Sequence, residues 1–324
     1  MTMPTDKTHS WLAHVPVPLF ASVMGLAGLG LGWRRAALDL GWPAAIGEGI
    51  LLLAALAFTG TATLYLAKTI RYPKMVAAEF VHPVRSSFFA AATIGLMLLS
   101  VGLVPYAPGI GEIVWMVASA THLVVALAVF RQWFANNIDI RHSNPAWFIP
   151  VVGNIVAPLG AATYGYPEIG WFFFSVGVVF WLVLFPIILN RIIFHDQLAA
   201  RFMPTLVILV APPSVSFLSY IGLHDGQVDG FARILFFVAL FTAMLIATLA
   251  NLLVRVPFAL SWWAYTFPSA ALALASVRYH AAVGGPVSLV LAYVLMTLAT
   301  IIVFMVLART LIALVQGRLF VPEN

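Results

Sequence analysis

Between Glu168 and Arg191 the chain reads IGWFFFSVGVVFWLVLFPIILN, residues 169–190, without one charged side chain. At about 1.5 Å of rise per residue, such a stretch crosses a hydrocarbon core of about 30 Å as a helix. Reading outward from charge to charge gives further stretches of the same kind: 8–33, 49–67, 86–111, 113–130, 142–167, 202–224, 234–254, 256–277 and 279–308. The gaps hold turn residues: Gly41-Trp42-Pro43, Tyr106-Ala107-Pro108-Gly109, Gly165-Tyr166-Pro167, His224-Asp225-Gly226 and Gly284-Gly285-Pro286. The expected fold is therefore all-α and polytopic, with ten transmembrane helices. The first stretch is a helix rather than a signal peptide. It has no clustered basic start, carries Pro16 and Pro18 at its entry, and runs into Arg34-Arg35 instead of a small-residue cleavage site.

Composition excludes the other classes. The 324 residues are 63% hydrophobic and 8% charged, where a soluble chain carries about 25% charged residues. A net charge of +5 suggests a nucleic-acid binder, but the basic residues are scattered singly and make no patch. With no cysteine there is no disulfide, thiolate site or thiol nucleophile. The eight histidines are dispersed without metal-ligand spacing, and no nucleotide-binding loop or triad spacing is visible. We expect no enzyme, cofactor or metal.

Ten spans put both termini on one side. Lys7, Lys68, Arg71, Lys74, Arg85, Arg131, Arg141, Arg191, Arg201, Arg255, Arg309 and Arg318 fall on that side, against Arg34, Arg35, Arg233 and Arg278 on the other. The excess of Lys and Arg predicts that both termini are cytoplasmic. The expected organisation is one transmembrane channel domain over 1–324: a short cytoplasmic N-terminus (1–14), a ten-helix bundle (15–312) and a short cytoplasmic C-terminus (313–324).

Proline is unevenly placed. Pro150, Pro158, Pro212, Pro213 and Pro268 lie within helices five, seven and nine, while Pro186 is the one well inside an even helix. Helix one continues with Gly25, Gly28, Gly30 and Gly32, and helix three offers only Gly95. Odd helices start near residues 16, 86, 146, 203 and 258, which suggests five hairpins in a loose repeat. Bent inner helices inside straighter outer ones would enclose a pore; the same residues also suit close helix packing.

Ser261-Trp262-Trp263-Ala264-Tyr265-Thr266-Phe267-Pro268 decides for the first reading. This string resembles the helix-nine signature of the tellurite-resistance/dicarboxylate transporter (TehA-type) family, which includes the slow anion channels of plant guard cells. Other segments follow in the expected order: Glu79 to Arg85, Asn144-Pro145, Val151 to Asn154, Ala211 to Ser214, Asp229-Gly230 and Phe236 to Phe241. The resemblance covers about residues 12 to 320. It implies five hairpins in quasi-fivefold arrangement, odd helices lining a pore, a homotrimer, and a location in the bacterial inner membrane. It also implies that Phe267 plugs the pore and that Phe20 resembles the aromatic residue of the helix-one pore segment. The next position, often glycine in relatives, is Ala21, whose methyl either narrows the lumen or changes how Phe267 sits. Plant-type regulation through long cytoplasmic tails is not expected.

A phenyl ring across a narrow apolar pore blocks ions by sterics and dewetting. Pore-lining candidates are Phe20, Ala21, Ser22, Asn154, Pro212, Ser214, Ser216, Thr266 and Pro268. Hydroxyls such as Ser22, Thr93, Ser214, Ser216 and Thr266 either offer weak fields to an anion or bond back to their own helices. No Lys or Arg lies well inside a lining candidate, and Asp39, Glu48, Glu112, Glu168, Asp225 and Asp229 fall at span edges or in loops. Mid-membrane charge of the sort a coupled carrier uses is thus missing, leaving His122 and Asn154 as the deep polar groups. His82 and Arg85 are expected as a cytoplasmic anchor with Glu79 as the candidate partner, an anion-attracting vestibule being the lesser reading of Arg85. The expected function is a gated, uncoupled channel for small monovalent anions such as chloride or nitrate. The alternative is a carrier of C4-dicarboxylates, tellurite or sulfite, with proton coupling through His122 as an option. Expected partners are these anions, the lipid bilayer and further copies of the chain.

Overall fold

In the computed structural model, which describes residues 11–321, ten long helical segments follow one another, with shorter helices between some of them, and no strand occurs among the described residues. Nine are α1 (Val17–Leu40), α2 (Ala44–Arg71), α3 (Arg85–Leu103), α4 (Pro108–Ala135), α5 (Pro145–Tyr164), α6 (Pro167–Phe194), α7 (Ala200–Leu223), α8 (Gly230–Ala247) and α10 (Pro286–Val315), each long and apolar enough to cross a membrane. The remaining one, α9, is a 3-10 turn Leu260–Tyr265 continuing as the α-helix Thr266–Val283. It carries Arg278 and is surrounded by α1, α7, α8 and α10, so it has little need of a lipid-facing apolar surface. The chain is an all-α, multi-span membrane protein.

Odd and even helices differ in construction. Every even helix is a regular α-helix, and α4, α6 and α10 begin with proline at the first turn, where no backbone donor is lost. Every odd helix starts as a 3-10 helix and then switches to α: at Phe20 in α1, Phe89 in α3, Ala211 in α7 and Thr266 in α9. In α5 the switch occurs twice, at Phe148 and again at Ala157 after the 3-10 turn Gly153–Val156. The prolines explain much of this. Pro158, Pro212, Pro213 and Pro268 sit in the first turn of the resumed α-helix, where a missing N–H is tolerated. They restart helices rather than kink them. Carbonyls at the irregular part of α5 find other donors: Ser219 Oγ donates to the Ile155 oxygen (2.5 Å) and Trp115 Nε1 to that of Ala157 (2.9 Å). Helix α3 shares the switch although no proline lies within it.

Contacts close the odd helices into a ring: α1 on α3, α3 on α5, α5 on α7, α7 on α9 and α9 on α1. Each even helix packs on its hairpin partner and on the next odd helix. Burial follows the same division. In the most apolar stretches of α1, α3, α5 and α7, 67% to 83% of residues are buried, against 22% to 33% in the even helices. The α1–α9 seam is closest. A methyl added at Gly25 would stand 2.1 Å from Thr266 Oγ1, and one at Gly28 would stand 3.2 Å from the Phe267 ring.

Charges do not punctuate the chain as strictly as the sequence suggests. Helix α1 runs on past Arg34 and Arg35 to Leu40, and α2 begins before Glu48 and passes Lys68. Each is neutralised in place. Arg34 grips Glu48 with two bonds of 2.7 and 2.6 Å, Arg35 meets Asp39 at 2.5 Å within the helix, and Lys68 meets Glu79 at 2.7 Å. The tight turns lie where expected: Gly41 and Gly165 take left-handed conformations (φ 72° and 82°) that end α1 and α5.

Candidate functional site

All five switch regions converge on one cavity of about 60 Å³. Its walls come only from odd helices: Ala21 and Met24 of α1, Phe88 and Ile94 of α3, Ile149, Val152 and Gly153 of α5, Ile208, Pro212 and Val215 of α7, and Trp263, Phe267 and Pro268 of α9. No polar side chain is among these walls. Short 3-10 stretches inside α-helices commonly mark functional hinges. Phe267 sits at the second position of the resumed α-helix of α9, 9% exposed, with its ring held against Gly28 of α1. The methyl of Ala21 faces the same space.

The other lining candidates take different positions. Phe20 turns outward, its ring against Tyr65 and Phe58 of α2 at 5.8 and 6.0 Å. Ser22, Ser214 and Thr266 each donate to a carbonyl of their own helix, Leu19, Val210 and Trp263, at 2.6 to 2.7 Å. In this conformation their hydroxyls bond to their own helices rather than into the cavity. Thr93 does likewise to Ala90 (2.8 Å) while meeting His122 Nδ1 at 2.8 Å. Asn154 donates to Val151 (2.7 Å). Asn154 Oδ1, Ser216 Oγ and His122 Nε2 are among the buried polar atoms of the described residues that have no hydrogen-bond partner. His122 lies behind the cavity wall: a methyl built at Gly153 would meet its ring at 2.9 Å. A helical sequence does not announce which face turns inward, which is why small polar residues of odd helices looked like lumen residues.

Beyond the cavity, at the end where the odd helices start, lies a vestibule of about 630 Å³. Phe88 lines both spaces. The vestibule is bordered by Arg85, Arg201, Arg309 and Arg318 together with His14 and His82, and no carboxylate is among the described residues lining it. The first and last described segments meet at this face, with the Trp11 and Phe320 rings 5.6 Å apart. His82 Nδ1 accepts from the backbone N–H of Val84 (3.1 Å) and Arg85 (3.2 Å), fixing the entry to α3. The expected Glu79 bond goes elsewhere. Its carboxylate takes Lys68 Nζ and the Tyr65 hydroxyl (2.6 Å), and Lys68 also donates to the Val15 carbonyl (2.7 Å). This buried cluster ties α2, the short helix Pro73–Val81 and the entry of α1 together. It was missed because its members stand eleven and fourteen positions apart along the chain.

At the far end Arg34 and Arg35 are neutralised. Besides Arg34–Glu48 and Arg35–Asp39, the Tyr106 hydroxyl donates to Glu48 (2.8 Å) and Arg233 to the Tyr279 hydroxyl (3.2 Å). In the loop there the Tyr106 hydroxyl is pushed up in pKa, first by its bond to Glu48. The Asp229 carboxyl before α8 is held below the usual range, first by the Ala232 N–H and then by the Tyr220 hydroxyl.

Comparison with known proteins agrees with this architecture. The chain matches the family described as SLAC1, voltage-dependent anion channel, over residues 14–311. It is 30% identical over 320 residues to the S-type anion channel SLAH3 of Arabidopsis thaliana, covering 96% of this chain and 50% of that one. The guard cell S-type anion channel SLAC1 of the same plant is 27% identical, over 98% of this chain and 59% of its own. The tellurite resistance protein TehA homolog of Haemophilus influenzae is 27% identical over 97% of each chain. The chain thus spans one half to three fifths of these plant relatives.

Proposed function

The chain belongs to the SLAC1 voltage-dependent anion channel family, whose named members are channels and transporters rather than enzymes, and on that premise we propose that it is a gated, uncoupled channel for small monovalent anions such as chloride and nitrate. The observation that carries this reading is the apolar neck: five odd helices meet at a cavity of about 60 Å³ with the Phe267 ring against its wall. An anion stripped of water in an apolar medium without replacement ligands faces a penalty of tens of kcal/mol. A phenyl ring in so narrow a passage therefore stops conduction without touching charge, and conduction resumes when the ring moves and water enters. Anion preference comes from the vestibule, since the hydroxyls near the neck keep their protons on their own helices. Arginines around a water-filled mouth raise the local anion concentration.

The neck lining contains no ionisable group, which favours an uncoupled path. The protein is proposed to sit in a bacterial inner membrane with both termini in the cytoplasm, as the Lys and Arg bias suggests, and to form homotrimers through its apolar outer faces. The test is the reversal potential of purified protein in a planar bilayer under a chloride gradient, with and without a pH gradient. A potential near that of chloride and indifferent to pH is expected. A potential that follows the proton gradient, with saturable malate, tellurite or sulfite uptake, would replace the channel by a carrier.

A further inference from the structure

Met24 and Phe267 both line the neck. Eleven positions on from each, in the same α-helix, stands an arginine: Arg35 of α1 and Arg278 of α9. At about 3.6 residues per turn, eleven residues return to the same helix face within about 20° and lie about 16 Å further along the axis. Both arginines therefore stand on the neck side of their helices, beyond Phe267 and away from the vestibule. They are neighbours there, since Arg35 and Asp39 are the charged groups that act electrostatically on Arg278. Asp39 is already bonded to Arg35 at 2.5 Å, which leaves two guanidinium groups to one carboxylate. Arg278 itself has neither a hydrogen bond nor an ion pair to a described residue. It is half-buried, and its Nη2 reaches the α7–α8 turn, 3.7 Å from a methyl built at Gly226. Helix α9 is enclosed by α1, α7, α8 and α10, so this group is turned to the pore side rather than to lipid. A guanidinium partly removed from water without a counter-ion carries a desolvation cost that a bound anion offsets. Its planar fork can hold a chloride or two oxygens of one nitrate.

We propose that Arg278 is an anion-binding residue of the far mouth, which takes one small monovalent anion such as chloride or nitrate in line with the Phe267 ring. The anion passes between this residue and the neck when the ring moves. That passage rests on the channel reading; binding does not. Arg278 is thereby a specificity-determining residue. A positive charge at a mouth concentrates anions and repels cations, and no polar side chain of the neck does this. Arg35 adds to the field while its Nε stays with Asp39. One cation holds one anion loosely enough to release it, as conduction requires.

The experiment reads binding and conduction separately. For binding, full-length wild type and Arg278→Gln in zwitterionic nanodiscs are melted in rising chloride against gluconate at equal ionic strength. A saturable, chloride-specific rise in the melting midpoint is expected in wild type, smaller by about twofold or more in the variant, since a ligand of the folded state stabilises it by mass action. An equal rise in both overturns the site. For conduction, the chain has no cysteine, so Arg278→Cys in a Phe267→Ala background carries a single thiol. Its chloride current should fall by about threefold or more relative to Phe267→Ala alone, as the field at the mouth is lost. Trimethylammonium and sulfonate thiosulfonate reagents of similar size, added at the face opposite the vestibule, put opposite charges on that thiol. Recovery with the cationic adduct and further loss with the anionic one are expected. The same response to both, or an unchanged current in the unlabelled variant, overturns the role. So does an equal response from Arg233→Cys, at the same end of the protein but bonded to Tyr279. If Arg278→Gln does not fold, the two adducts of Arg278→Cys replace it in the melting comparison. The cationic adduct should then show the larger chloride rise, and equal rises overturn the site. If Phe267→Ala passes no chloride at all, the channel reading falls, and the melting comparison decides binding.

Discussion

The neck and the vestibule stand in line and are built on opposite rules. The neck is about 60 Å³, walled by apolar side chains from five helices, and depends on contacts measured in tenths of an ångström. The vestibule is about 630 Å³, bordered by guanidinium and imidazole groups, and depends on charge that acts through water. On the proposed reading, one excludes ions by shape and the other selects their sign by field. Close packing acts over contact distance and ignores salt. A field between exposed groups extends about 10 Å at 0.1 M salt and about 3 Å at 1 M. The difference teaches that gate and filter can be altered separately.

Two substitutions test that separation, the stronger first. Gly25→Ala attacks the neck. The added methyl would stand 2.1 Å from Thr266 Oγ1 and 2.6 Å from its Cβ. A β-branched side chain already bonded to Trp263 cannot swing away, so α1 and α9 must part. We expect a loss of about 1–3 kcal/mol or more, read as a lowered melting midpoint at every salt concentration, whereas a midpoint equal to wild type would show that the seam is loose. Arg85→Gln attacks the vestibule. Chloride current through the open pore should fall several-fold at about 0.1 M salt and recover near 1 M, because screening removes the field that the arginine supplies. A loss of the same size at both concentrations would make Arg85 a packing residue, in keeping with a plain anchor at the start of α3.

Much of the fold was legible because lipid imposes a simple rule: spans must be apolar and long. The rule misplaced the ends of α1 and α2, where Arg34 and Glu48 neutralise each other and Lys68 is buried against Glu79. A charge punctuates a helix only when it has no partner, and partners are invisible until the chain is folded. The prolines of α5, α7 and α9 correctly marked the irregular helices, but the structure shows 3-10 stretches followed by restarts where the sequence suggested kinks. The site was less legible. Phe267 entered through family resemblance, and no periodicity set it apart from the other phenylalanines. Phe20, Ser22, Ser214 and Thr266 share helices with cavity residues yet face elsewhere or bond inward. Of the vestibule, only Arg85 was legible, as a lesser reading. Arg85, Arg201, Arg309 and Arg318 look like scattered single charges along the chain, and only the ring closure of the odd helices brings them to one opening.

The central claim is that the Phe267 ring closes the conduction path. Chloride conductance of purified wild-type protein beside Phe267→Ala, in the same bilayer and salt, tests it most directly, with matched melting curves showing that both are folded. The account predicts at least a tenfold larger conductance in the variant, reversing near the chloride potential. Equal conductance from two folded proteins would contradict it and place the barrier elsewhere along the path.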